Sequence, residues 1–182
     1  SCQIVDAIWK NDIATVRRLV TQHPNLIDED ALVRPPGERR NWGPPMTYAA
    51  NVGRDAIIQM LHDMGASDHR SAVGRALLQS KIETAKLLYE LAGRPVPGDH
   101  ALGGAAYTLS DSGTAFALEI GARVVDGEGR RLAPVDVVLE TDSRKPAAKH
   151  AILAMYEKHG LVYPDTAPMA LHRGRIDLLE EH

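Results

Sequence analysis

The sequence predicts an all-α fold, a solenoid of about six short helix–turn–helix units with short hairpin connectors. Three observations predict it. A short apolar segment, a tight turn and a longer amphipathic segment recur along the chain in that order. Residues that tolerate a left-handed backbone, chiefly Gly and Asn, stand at several of the turns. Aromatic residues make up only 4% of the chain, with a single Phe, Phe116. A core without large rings is built from Ala, Leu, Ile, Val and Met, which favours small, closely packed helices over a thick sandwich or barrel.

The second unit is the clearest. Pro45 to Val52 reads as a short helix, Gly53 as its turn, and Arg54 to Leu61 as a longer helix with Ile57, Ile58 and Leu61 on one face, closed at Gly65. The first unit has Ala7-Ile8-Trp9-Lys10 before Asn11, then a stripe of Thr15, Val16, Leu19 and Val20 ending at His23-Pro24. A third unit opens at Ala76, turns at Ser80, continues through Ala85, Leu87 and Leu88, and closes near Ala92-Gly93. A fourth runs from Ala105 through a turn at Leu109 to Gly121-Ala122. The last opens at Ala170, turns at Gly174 and carries Ile176, Leu178 and Leu179. Turns at 53, 80, 109 and 174 are spaced by 27, 29 and 65 residues, so one unit lies hidden in the last interval. It is Pro134 to Leu139 followed by Pro146 to His159, with Pro146 suited to a first helical turn. The interval from 11 to 53 is 42 residues and holds an inserted loop at about 28–43, with Pro35-Pro36-Gly37 and Arg39-Arg40. The backbone of this loop is expected to exchange faster than the helices.

These residues resemble the ankyrin repeat, a unit of about 33 residues built on T-P-L-H-x-A-A, a turn Gly, and a second helix closing on L-L-x-x-G-A. Pro45-Met46, Ala49-Ala50, Gly53 and Gly65-Ala66 carry the match best. The other units keep the order of features and lose part of the motif. The resemblance implies one continuous array over 1–182. A helix pair this short cannot bury enough surface alone, so small residues such as Ala49, Ala50, Ala105 and Ala106 are expected where neighbouring units touch. The glycine-rich Asp126-Gly127-Glu128-Gly129 suits a projecting hairpin. The sixth unit stops inside its second helix at Glu180-Glu181-His182, so further repeats are expected beyond it.

Composition excludes little chemistry by itself. The formal net charge is −3 and Cys2 is the single cysteine, so no internal disulfide forms and a cytoplasmic location is expected. No apolar run reaches the roughly 18 residues of a membrane span, and no signal peptide is visible. The eight histidines show no His-Glu-x-x-His pair or zinc-cluster spacing, and His62, His69, His150 and His159 read as surface or helix-end residues. Ser110-Asp111-Ser112-Gly113 reads as a helix N-cap and not as a nucleophile. Asp126 to Gly129 is too short for a calcium loop. Gly103-Gly104 lacks the Lys-Ser/Thr of a phosphate loop and is assigned to close helix packing. No cofactor, no metal and no catalytic residue is predicted.

Recognition of another protein is the expected function, ahead of small molecules, nucleic acid or membrane. The resemblance places ligand contacts at the hairpin tips and at the two positions before each turn. Those positions include Trp9 and Lys10, Asn51 and Val52, Leu78 and Gln79, Tyr107 and Thr108, and His172 and Arg173. Trp9 and Tyr107 are either exposed binding anchors or core fillers, Trp9 capping an open end and Tyr107 filling a gap. Arg34, Arg39, Arg40 and Trp42 in the inserted loop, with Arg130 and Arg131 at a second tip, form basic features that suit an acidic peptide or RNA, or else a solvated connector. Two alternatives stay open: the recognition arm of a longer protein with an enzymatic segment elsewhere, and nucleic-acid binding through the basic tips.

Overall fold

A chain that reverses direction every eight or ten residues must satisfy its helix ends at each reversal. Five of the turns hold their central residue in the left-handed region: Asn11 (φ 58°), Gly53 (70°), Ser80 (56°), Leu109 (53°) and Gly174 (65°). At all five, the next residue's N–H donates to the carbonyl of an alanine: Asp12 to Ala7, Arg54 to Ala49, Lys81 to Ala76, Ser110 to Ala105 and Arg175 to Ala170, at 2.8–3.0 Å. The turn residue itself donates to the carbonyl that follows that alanine, on Ile8, Ala50, Leu77, Ala106 and Leu171. These paired bonds absorb carbonyls that a helix C-terminus leaves without partners. A second set closes the longer helices at Gly65, Gly93, Gly121 and Gly160, all with positive φ.

The computed structural model describes residues 2–32, 42–141 and 144–179. Among them the protein is all-α: α1 (Cys2–Trp9), α2 (Ile13–Gln22), a short 3-10 turn at Pro24–Ile27, α3 (Pro45–Val52), α4 (Asp55–Asp63), α5 (His69–Leu78), α6 (Ile82–Leu91), α7 (Gly103–Thr108), α8 (Asp111–Glu119), α9 (Ala133–Glu140), α10 (Pro146–Lys158), α11 (Ala167–Arg173) and α12 (Ile176–Leu179). No helix among these residues is long and apolar enough to cross a membrane. Residues 33–41 of the inserted loop, with Arg34, Arg39 and Arg40, lie outside the described residues. The loop is closed at its base by the Ala31 N–H, which donates to the Gly43 carbonyl at 3.0 Å.

The helices cluster into two compact units, Ser1–Pro95 and Val96–His182. In the first unit α1 packs on α3 and α3 on α5, while α2 packs on α4 and α4 on α6. The first helices of successive pairs thus touch one another, as do the second helices. Ala7, Ala49 and Ala76, the alanines of the turn motif, are all buried there. Ile57, Ile58 and Leu61 are fully buried, as the periodicity predicts. Thr15 is not part of the buried stripe; its N–H and hydroxyl both donate to the Asp12 carboxylate, which caps α2. Polar bonds also join successive pairs. The Thr84 hydroxyl donates to Asp55 at 2.6 Å, and the Thr47 N–H and hydroxyl donate to Asp68. The Arg54 guanidinium donates to the carbonyls of Ile8, at 3.2 Å, and Trp9, a cation at the C-terminal end of the neighbouring pair's first helix.

In the second unit α7 packs on α9 and α8 on α10, and α11 packs on α10. Lys145 repeats the part of Arg54: its ammonium donates to the Thr108 carbonyl, in the last turn of α7. The cap that ends α9 is not left-handed. Thr141 is extended, and the buried ammonium of Lys149 instead donates to the carbonyls of Leu139 (3.0 Å) and Thr141 (3.3 Å). A cation from the second helix does here what backbone N–H groups do at the other turns. The Ser110 hydroxyl accepts from the Gly113 N–H at 3.0 Å, the N-cap predicted for α8. Two expectations fail in this unit. A Cβ at Gly103 would meet nothing within 4 Å, so close packing does not explain that glycine. The stripe of Ile176, Leu178 and Leu179 is not fully buried: Ile176 is 72% exposed, and Leu178 and Leu179 are half-buried.

Two stability experiments follow from the turns and the core. A non-glycine residue in the left-handed region costs about 1–2 kcal/mol, and glycine returns about 0.5–1 of that as lost chain entropy. Ser80 is exposed, so Ser80→Gly raises stability by about 0.5–1 kcal/mol in denaturant titration. Leu109 is 4% exposed, so Leu109→Gly loses more packing than it gains in strain relief and destabilises by about 2 kcal/mol. Equal effects at the two sites would show that strain, not burial, governs both. The fully buried Tyr156 hydroxyl has no hydrogen-bond partner among the described residues. Tyr156→Phe is therefore expected to leave stability unchanged or raise it by about 1 kcal/mol. A clear drop in the melting midpoint would mean that the hydroxyl is satisfied.

Candidate functional site

The motif that ends each first helix fixes what its last residues present. The alanine that accepts the long bond is buried in all five cases, and the positions two and three residues later turn outward or toward a neighbour. In the first unit Trp9 ends α1 with 59% of its surface exposed. It stands at the end of the helix and is not enclosed in the core. Lys10 beside it pairs with Asp6 at 2.8 Å, so the charge next to the indole is compensated. Asn51 and Gln79 belong to successive pairs, and the Gln79 amide donates to Asn51 Oδ1 at 3.0 Å. The structure brings these two side chains together. Trp42 is half-buried at the base of the inserted loop. The cation described over its ring is Arg75 of α5, with the guanidinium carbon 5.2 Å from the centroid. The indole partner expected from Arg39 and Arg40 cannot be compared, since both lie outside the described residues.

In the second unit Tyr107, near the end of α7, is 71% exposed, so it is not a core filler. His172 is exposed as well. Arg173 corrects the expectation that it faces a ligand beside His172. Its side chain is only 9% exposed, pairs with Glu157 at 2.7 Å, and lies over the Tyr163 ring at 4.6 Å. The Tyr163 hydroxyl donates to the Leu153 carbonyl at 2.7 Å, and burial raises its pKa, keeping it protonated. These groups form one wall of a cleft of about 300 Å³, whose lining also includes Asp165, Arg175 and Leu178. Arg175 is held bidentately by Asp177.

The Asp126–Arg131 tip is a small antiparallel hairpin, with an isolated bridge between Val125 and Arg131. Asp126 organises it. Its carboxylate accepts from the N–H groups of Glu128 and Arg130 and from the Arg130 guanidinium. The Arg130 N–H and guanidinium, with the Glu128 N–H, hold its pKa below the usual aspartate value. Arg130 pairs further with Glu128, and Arg131 pairs with Asp136. Both arginines of this tip are therefore matched by acids, which removes most of its attraction for phosphate.

Sequence reasoning missed one contact entirely. His62 in the last turn of α4 and His69 at the start of α5 meet at their rings, although both read as separate surface residues. Their separation of seven spans a hairpin, and no helix-face or motif spacing shows it. Among the described residues no three His, Cys, Asp or Glu side chains converge on one point.

The chain matches no protein-family model and no curated protein.

The two arginines differ in what their removal costs. Arg173→Ala uncouples Glu157 and empties the space over Tyr163, and is expected to destabilise by about 1–3 kcal/mol. Arg130→Ala, on an exposed tip, is expected within about 0.5 kcal/mol of the parent. Thermal denaturation of both variants distinguishes the assignments, and a neutral Arg173→Ala would return that residue to the exposed surface.

Proposed function

We propose that the chain is an ankyrin-type array of about six helix pairs, acting as a cytoplasmic scaffold for recognition of another protein. The observation that carries this reading is the fivefold recurrence of one turn geometry on one alanine carbonyl, at Asn11, Gly53, Ser80, Leu109 and Gly174. A repeated backbone device of this kind serves to present a few outward positions on a fixed frame. The frame then loses little ordering entropy on binding. The residues so presented are Trp9, Asn51 and Gln79 in the first unit and Tyr107 and His172 in the second. Trp and Tyr are common interface anchors, and these two are the exposed large aromatics among the described residues. The neutralised tip at Arg130 weighs against nucleic acid.

No catalytic role and no cofactor enter this reading. A segment with enzymatic activity elsewhere in a longer protein is compatible with it and would use this chain as a recognition arm.

The test is binding to the partner recovered with the full-length protein from its source cell. Trp9→Ala and Tyr107→Ala are each expected to weaken that binding by about 2 kcal/mol or more. Neither is expected to move the melting temperature appreciably, because both side chains are exposed. Unchanged affinity in both variants overturns the assignment of these anchors. Recovery of RNA or a small metabolite as the bound species, or a steep fall in affinity with salt, overturns the protein-recognition reading.

A further inference from the structure

Nothing in the spacing of His62 and His69 calls attention to them, yet the fold aims their rings at each other. The hairpin between α4 and α5 turns at Gly65 (φ 101°) and brings Nδ1 of His62 to 2.8 Å from Nε2 of His69. The rings stand at 84°, with centroids 5.0 Å apart, and both residues are half-buried. We propose that this pair is a site for a divalent transition-metal ion, bound by the two imidazoles and completed by water.

The argument starts from the direction of the lone pairs. An imidazole nitrogen offers its lone pair in the plane of the ring, and the two nitrogens face each other nearly head-on, so a tilt of each ring turns both lone pairs onto one ion. A zinc–nitrogen bond of about 2.0–2.1 Å at a tetrahedral angle places two ligating nitrogens about 3.3 Å apart, so the pair opens by about half an ångström. With no ion bound, one of the facing nitrogens donates its N–H to the other. On binding, that proton moves to the far nitrogen of its own ring, Nε2 of His62 or Nδ1 of His69. The neutral pair thus changes tautomer without releasing a proton, and both facing nitrogens become ligands.

Partial burial leaves room for water at the remaining positions. Since no third His, Cys, Asp or Glu converges with the pair among the described residues, the site supplies two protein ligands. Nitrogen ligands of this kind select Zn²⁺, Ni²⁺ or Cu²⁺ over the oxygen-preferring Ca²⁺ and Mg²⁺. The ion would join the end of one helix pair to the start of the next, beside the hydrogen bond from the Thr47 hydroxyl to Asp68.

The experiment uses the full chain carrying Cys2→Ser, to remove the thiol as a competing ligand, titrated with Zn²⁺ by calorimetry at neutral pH. One ion per chain is expected, with a rise in melting temperature that a chelator reverses. His62→Gln and His69→Gln are each expected to abolish that binding, while His159→Gln binds as the parent does. Undiminished binding in either of the first two variants, or none in the parent, overturns the proposal. A measurement free of folding effects accompanies it. Ni²⁺ added to the parent chain should broaden the amide resonances of residues 60–70 first, and broadening centred elsewhere overturns the site even if the variants unfold.

Discussion

The bond from the residue after each turn to an alanine carbonyl is the constraint on which the rest depends. It forces the turn residue into a left-handed backbone, which ends the first helix and starts the second within three residues. It also places the alanine at the point where pairs press together. A larger side chain there would hold neighbouring helices apart, and a different turn would rotate the following helix away from its partner. Leu109 shows how strong the constraint is. The geometry is kept even where a leucine must adopt the strained conformation, because the same side chain is buried and its packing outweighs the strain.

A second layer of interactions fastens one pair to the next, and it is electrostatic more than apolar. Arg54 and Lys145 stand at equivalent places, just before a second helix, and both reach carbonyls in the last turn of a neighbouring first helix. The C-terminal end of a helix carries partial negative charge, so a cation there is favoured twice, by hydrogen bonding and by the dipole. Lys149 extends the principle to the C-terminal end of α9, whose cap, Thr141, is extended. Three basic residues thus serve as caps, while Lys10, Lys86, Arg94, Arg123, Arg130, Arg131, Arg173 and Arg175 pair with acids. That accounts for a protein with 21 Lys and Arg whose described surface offers little concentrated positive charge.

The helices and their pairing were legible in the sequence because both are local. Gly53, Asn11 and Gly174 announce their turns by residue type, and the apolar spacing of Ile57, Ile58 and Leu61 sets the buried face. Ser80 and Leu109 were found only by register, since neither residue type favours the conformation it adopts. What stayed hidden depends on contacts between segments. The pairing of Arg173 with Glu157 and the meeting of His62 with His69 are set by how helices pack, and no period of two or 3.6 encodes them. The candidate surface was read in part. Trp9, Asn51, Gln79, Tyr107 and His172 stand outward or half-exposed as register implies, whereas Arg173, in equal register, folds inward because an acid and an aromatic ring are available beneath it.

The hairpin around Asp126 has a consequence for how the protein ages. Asp-Gly sequences in flexible loops lose their integrity slowly, as the glycine nitrogen attacks the aspartate side chain and closes a five-membered imide. Attack requires the carboxyl carbon to swing toward that nitrogen and is favoured when the group is protonated. Here the carboxylate is held in place by two backbone N–H groups and a guanidinium, and those donors keep it ionised. The network that shapes the tip thus also guards its most labile peptide linkage, Asp126-Gly127, against spontaneous isomerisation.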